Sequence, residues 1–172
     1  MPIDGIDESG RTRVYRKIID QLKTNPALQA AGVEWMPFDG STEIAVPIVG
    51  DSPVIVLRPT LGPMRPHSPD AQEGDMVVEI VMHVPSEHDA CDCMDLWAAI
   101  EQAIYPFNDR EKQLAFQLRL KGCEDGGGCD CETGTIKFDQ PATIAPQFDG
   151  DHFTHFVCVG SMSISVLRTL NP

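Results

Sequence analysis

Residues 75–84 read Asp75-Met76-Val77-Val78-Glu79-Ile80-Val81-Met82-His83-Val84. An unbroken apolar series occupies every second position from Met76 to Val84, whereas the alternate series includes Glu79 and His83. Successive side chains of a strand point to opposite faces of its sheet, so a period of two is typical of a strand. The segment therefore predicts a strand with one face in the core.

Amphipathic helices are predicted on both sides of this strand. In residues 9–23, Val14, Ile18 and Leu22 recur every four residues and form one apolar stripe. After the strand, Ser86 and Asp89 resemble a capping box that opens a second helix. Its inward face is predicted to carry Leu96, Trp97, Ile100, Ala103 and Ile104.

Further strands are predicted over residues 43–49, 54–58, 114–120 and 153–168. The order of helices and strands predicts an α+β fold, with two main helices on one face of a mixed or antiparallel sheet. We find no internal repeat and no change of composition, so residues 1–172 are predicted to form a single domain. In the last strand, Gly160 predicts a bulge or a close backbone approach.

Two long loops are predicted. Residues 59–74 contain Pro63, Pro66 and Pro69 and show no periodicity. Residues 121–134 are rich in glycine, cysteine and acidic residues, and they precede a short returning strand over residues 135–138. Loops of this length are usually functional or disordered.

The charge of the chain excludes some classes of protein. Thirteen Lys and Arg residues against 26 Asp and Glu residues give a net charge of −13. A nucleic-acid coat protein needs a net basic face, which this balance does not provide. No apolar run approaches the roughly 20 residues of a membrane span, and the N-terminus lacks the pattern of a secretory signal. We therefore expect a soluble intracellular product.

Basic and acidic residues are separated along the chain. Five of the 13 basic residues lie in the first helix, whereas residues 66–109 contain ten acids and no Lys or Arg. The separation is consistent with a solvated acidic face, or with two complementary surfaces that join copies head to tail. For the second interpretation, the candidate ring interface comprises Arg11, Arg13, Arg16, Lys17, Glu87, Asp89 and Asp92.

The cysteines form two dense groups, Cys91 with Cys93, and Cys123 with Cys129 and Cys131. If the strands ending at Val84 and near residue 121 are parallel neighbours, the intervening helix makes a crossover and the two groups meet at one end of the sheet. The spacing differs from that of a zinc ribbon. Unpaired thiols, disulfides and a structural metal remain open, and Cys158 is expected in the core.

No catalytic constellation is recognisable. His152 and His155 lie three residues apart in a strand and so point to opposite faces, which disfavours joint metal binding. The glycines at 126–128 lack the lysine and hydroxyl residue of a phosphate-binding loop. We predict neither enzymatic activity nor a cofactor.

The order of elements resembles a known family. It comprises the first helix, the turn Phe38-Asp39-Gly40, a short apolar strand at residues 53–57, the alternating strand, the helix ending Ile104-Tyr105-Pro106 and a long final strand. This series is similar to the tail terminator proteins of long-tailed phages, the family of the minor tail protein U of lambda-like phages. The loops at residues 59–74 and 121–134 do not belong to the family pattern.

The resemblance implies a late structural protein of the virion, located at the head-proximal end of the tail and assembled in the host cytoplasm. It implies a homo-oligomeric ring, a hexamer, which ends polymerisation of the tail tube protein and joins the tail to the head–tail connector protein. DNA would pass through the lumen without specific binding, and no membrane is involved. The alternatives are a head-completion or neck protein, and a metal-binding module built on the cysteines.

Overall fold

A computed structural model describes residues 10–36, 51–69, 71–105, 131–139 and 142–169. Within these ranges the chain forms three helices and six strands. The helices are α1 (Gly10–Lys23), α2 (Pro26–Ala30) and α3 (Ala90–Ile104). The strands are β1 (Glu34–Met36), β2 (Val54–Ser68), β3 (Ala71–Pro85), β4 (Cys131–Phe138), β5 (Thr143–Asp149) and β6 (His152–Thr169). The predicted strands at residues 43–49 and 114–120 lie outside the described residues.

The described strands form one mixed sheet. Its order is β1-β2-β3-β6-β4. β4 pairs with residues 162–169 of β6, and β5 pairs with residues 152–159 of the same strand. The pairing of β1 with β2 is parallel, whereas β2, β3, β4 and β5 take part in antiparallel pairs. The long central strands β3 and β6 run side by side from Ala71 and Thr169 to Pro85 and His155.

The core lies between α1, α3 and one face of the sheet. The even-numbered residues of β3 from Met76 to Val84 are buried, as the alternation predicts. They share one hydrophobic cluster with the apolar stripe of α1 and the inward face of α3. The α+β fold class is therefore confirmed, and so are the buried faces predicted for the two main helices, α1 and α3.

The predicted loop over residues 59–74 is wrong, because this segment forms a β-hairpin. β2 continues to Ser68 and pairs with β3 up to Ala71, with register shifts between Leu61 and Met64 and between Pro66 and Ser68. Among the described strands, β1 pairs with β2 only as far as Val56, so the rest of β2 is bonded on one side. A proline can be accommodated on such an edge or at a bulge, since no ladder donor is required there.

The predicted capping box of α3, Ser86 with Asp89, is also wrong, because the helix begins three residues later than predicted. Residues 85–88 form a turn in which the amide of His88 donates to the carbonyl oxygen of Pro85. Asp89 is the N-cap, and its carboxylate accepts from the amides of Cys91 at 2.7 Å and Asp92 at 3.0 Å. Asp92 accepts in return from the amide of Asp89 at 3.1 Å. The capping box is therefore Asp89 with Asp92, and Ser86 belongs to the turn.

We expect Asp89→Ala to lower the free energy of unfolding by about 1–2 kcal/mol, because two amides of the first turn lose their acceptor. Urea unfolding followed by circular dichroism measures the change. Asp89→Asn is the matched control, since its side-chain oxygen keeps the cap and should restore most of the stability. Equal losses in the two variants would contradict the capping role.

None of the described helices is long and apolar enough to cross a membrane.

Candidate functional site

The acidic residues of the candidate interface lie at one end of the sheet, around the start of α3. Asp89 and Asp92 form the capping box, and His88 Nδ1 lies 3.3 Å from a carboxylate oxygen of Asp92. His88 Nε2 lies 3.6 Å from a carboxylate oxygen of Glu87. Asp89 and Asp92 thus cap the N-terminus of α3, and Glu87 lies beside them. We call these three residues the acidic end.

A cavity of about 280 Å³ opens next to the acidic end. It lies between α2, the start of β2 and the first half of α3. Its floor is apolar, and its charged lining residues are Asp92 and Asp95, with His88 beside them. Carboxylates over an apolar floor suit a long basic side chain, which buries its methylene stem and keeps its charged group at the rim. The apolar lining residues are Ala27, Ala31, Pro53, Val84, Leu96 and Ala99.

The basic residues of the candidate interface all lie in α1. The guanidinium of Arg11 donates to the carbonyl oxygen of Gly62 and, at 3.4 Å, to that of Asp75. Arg11 therefore fastens the start of α1 to the β2–β3 hairpin within the subunit. Arg16 is exposed and Lys17 is partly exposed, whereas the side chain of Arg13 lies outside the described part of the chain.

The structure places Arg11 far from the acidic end. The guanidinium of Arg11 donates to the backbone of β3 at Asp75, whereas the acidic end follows Pro85, the last residue of the same strand. Ten residues of strand separate Asp75 from Pro85, which corresponds to about 33 Å at the usual rise of a strand. For Arg11, the charge separation predicted from the sequence is therefore also a separation in space.

The predicted approach of Cys131 to Cys91 and Cys93 is wrong. Cys131 pairs with Thr169 at the hairpin end of the sheet. Cys93 lies near Cys158, which pairs with Met82 towards the other end. Eleven residues of β6 separate Cys158 from Thr169, or about 36 Å. In addition, β2 and β6 occupy both edges of β3, so no other strand can be its parallel neighbour.

Cys91 and Cys93 are separated as well, because residues two apart on a helix do not share a face. Cys91 is exposed and Cys93 is fully buried. Burial raises the pKa of the Cys93 thiol, and the carboxylates of Asp92 and Asp89 raise it further. Burial also raises the pKa of the core residue Cys158 to about 11, with a contribution from Cys93. These two neighbouring thiols are therefore protonated and unreactive at neutral pH.

The predicted loop over residues 121–134 is wrong for residues 131–134, which belong to β4. Cys123 and Cys129 lie outside the described residues, so their predicted roles are not tested. Within the described ranges, no group of three or more His, Cys, Asp or Glu side chains converges as a metal site.

A histidine pair that was not predicted from the sequence lies on the sheet face opposite the helices. His83 Nδ1 lies 3.3 Å from His155 Nε2. Burial lowers the pKa of His83, and His155 and Arg58 lower it further; burial also lowers the pKa of His155. His83 was correctly assigned to this face, but its neighbour depends on the pairing register of β3 with β6, which no local pattern encodes.

A second missed feature is an aromatic cluster on the β5–β6 hairpin. Phe148 and Phe153 are 59% and 36% exposed, and their ring centroids lie 5.8 Å apart. Phe153 also contacts Phe156 at 4.8 Å. Exposed aromatic residues are enriched at protein contacts, so the tip of this hairpin is a candidate contact surface.

The chain was compared with known proteins. A scan against protein-family models finds no match, and a search of curated proteins finds no relative. The charged groups, the cavity and the histidine pair are therefore the features from which a function can be argued.

Proposed function

We propose that this protein is a structural subunit that assembles head to tail into a ring on the tail tube of a long-tailed phage. In this role it would end polymerisation of the tube and join the tail to the head–tail connector. The observation that carries the proposal is the separation of Arg11, at the start of the basic helix α1, from the acidic end by about 33 Å of strand. The family resemblance of the sequence adds the tail-terminating role.

Separated complementary surfaces favour a heterologous contact. When the basic surface of one copy meets the acidic surface of the next, every added copy exposes a new acidic surface. Such a chain of contacts closes into a ring if the rotation per subunit divides a full turn. The cavity beside Asp92 and Asp95 supplies a place where a basic side chain of α1 in the next copy can dock.

The net charge fits the passage of DNA through such a ring. With 26 acids against 13 basic residues, the walls of the lumen would repel phosphate and would not retain it. This property suits a ring through which DNA must slide.

Charge reversal tests the head-to-tail contact. We expect the wild-type chain of 18.9 kDa to sediment as a hexamer, alone or with tail tubes, and Arg16→Glu or Glu87→Arg to dissociate it. Like charges placed together at an interface cost several kcal/mol, so each variant should weaken association by at least about tenfold. Analytical ultracentrifugation at several protein concentrations measures the change.

Two further variants make this test specific. The double variant Arg16→Glu, Glu87→Arg exchanges the two charges and should recover much of the assembly. Glu34→Arg applies the same charge change to an exposed residue of β1 and should leave the ring intact. A wild-type chain that stays monomeric at micromolar concentrations, alone and with tail tubes, would contradict the proposal. A ring that binds the connector but not the tube would favour the head-completion or neck protein instead.

A further inference from the structure

The histidine pair lies on two adjacent strands. β3 and β6 pair in a register that sets His83 opposite Val157 and Pro85 opposite His155. The two imidazoles are therefore diagonal neighbours on the outer face of the sheet, at a spacing that lets long side chains touch. Their ring centroids lie 5.4 Å apart. Both side chains are partly exposed, so a dissolved ion can reach them.

A chain of hydrogen bonds fixes the orientation of His155. The hydroxyl of Thr154 donates to the carbonyl oxygen of Gln147 at 3.1 Å. A hydroxyl has one proton, so Thr154 Oγ1 must accept from His155 Nδ1 across their 2.9 Å contact. This network assigns the proton of His155 to Nδ1 and leaves the lone pair of Nε2 directed at His83.

We propose that His83 and His155 bind a divalent transition-metal ion of the Zn²⁺ class through Nδ1 and Nε2, respectively. Zinc binds imidazole nitrogen at about 2.0–2.1 Å, so two ligands of a tetrahedral ion lie about 3.3–3.4 Å apart. The observed separation of the two nitrogens is 3.3 Å. Binding requires both rings to rotate, because in the free pair the lone pair of His155 Nε2 faces His83 and does not face an ion above the two rings; neither strand has to move.

The surroundings of the pair support this site. Thr154 holds the second nitrogen of His155 as an outer hydrogen-bond partner, the arrangement that usually orients a metal-bound imidazole. The charge of Arg58 of β2 acts on His83 and opposes a bound cation, and its pairing with Glu79 of β3 at 3.2 Å reduces this effect. On binding, His83 moves its own proton from Nδ1 to Nε2, so two neutral imidazoles become ligands with no net loss of protons.

The pair supplies two ligands, and no third His, Cys, Asp or Glu converges on it within the described residues. Water completes the coordination of the ion. The site is therefore expected to bind more weakly than the three- and four-ligand sites of enzymes and zinc fingers.

The test is a Zn²⁺ titration of the reduced full-length protein, followed by the imidazole ¹⁵N resonances. These signals report on histidines and so separate this site from zinc binding by thiols. We expect His83 Nδ1 and His155 Nε2 to shift together. Either His83→Gln or His155→Gln should weaken zinc binding to the remaining imidazole by at least tenfold, whereas the control His152→Gln on the same strand should leave it unchanged.

Thr154→Val separates metal binding from a purely structural contact. It keeps both ligands but removes the partner of His155 Nδ1, and loss of such a partner typically weakens metal binding about 10–100-fold. Unshifted His83 and His155 resonances in saturating Zn²⁺ would overturn the proposal, and so would equal binding in wild type and His155→Gln. Oligomeric state does not enter this readout, so the outcome is independent of ring assembly.

Discussion

Replacing Trp97 by alanine is expected to lower the free energy of unfolding by about 3–5 kcal/mol. The indole is 7% exposed and packs across Gly160 of β6, which joins α3 to the central strands. Its edge meets Phe138 at a centroid distance of 6.0 Å, and its Nε1–H donates to Glu101 at 2.8 Å. The alanine variant loses these contacts and leaves a cavity that the rigid sheet cannot fill. Urea unfolding measures the loss.

The control for this substitution is Met94→Ala on the same helix. The Met94 side chain is 58% exposed, so its removal should change the free energy of unfolding by less than about 0.5 kcal/mol. A loss below about 1 kcal/mol for Trp97→Ala would contradict the inward orientation of this face of α3.

The features predicted correctly from the sequence are those that local periodicity encodes. The alternation of Met76, Val78 and Ile80 predicts which face of β3 is buried, because successive side chains of a strand point to opposite faces of the sheet. The four-residue spacing in α1 and the inward set of α3 are equally local. A chemical pattern within a few residues was sufficient for these predictions.

The errors arose where pairing between distant segments overrides local signals. Four prolines made residues 59–74 look irregular, yet the segment forms the β2–β3 hairpin. The prolines of β2 can be accommodated because most of this strand is bonded on one side among the described strands. The crossover predicted for the cysteines failed because β6, from the end of the chain, occupies the edge of β3 that this arrangement requires. Strand order is a property of the whole chain, and local patterns do not determine it.

The same limit applies to the candidate site. The sequence predicted that acids and bases are separated along the chain, and the structure shows for Arg11 how far this base lies from the acidic end. The sequence did not predict that Asp89 caps α3 or that Arg11 hydrogen-bonds to the β2–β3 hairpin of its own subunit. These contacts depend on where each helix begins and on which segment lies beside it. His83 and His155 are 72 positions apart, and only the register of β3 with β6 brings them together.

Gly160→Ala is expected to lower the free energy of unfolding by about 3 kcal/mol, at the upper end of the usual cost of overpacking. The predicted close approach at this residue is confirmed, because a Cβ there would lie 2.6 Å from Cζ2 of Trp97. Backbone conformation is not the reason, since the described glycines with positive φ are Gly32 and Gly150. The register with Ile80 is regular, so no bulge is present at this position.

The cause can be isolated by repeating the substitution in a Trp97→Leu background. Leucine is smaller than the indole, so the added methyl group no longer meets a ring. A glycine inside a strand is less stable than alanine by about 0.5–1 kcal/mol, so Gly160→Ala should then stabilise the chain. The change of sign corresponds to a coupling of about 3 kcal/mol or more between the two positions, which a double-mutant cycle measures by urea unfolding. Equal losses in both backgrounds would show that something other than Trp97 requires glycine at position 160.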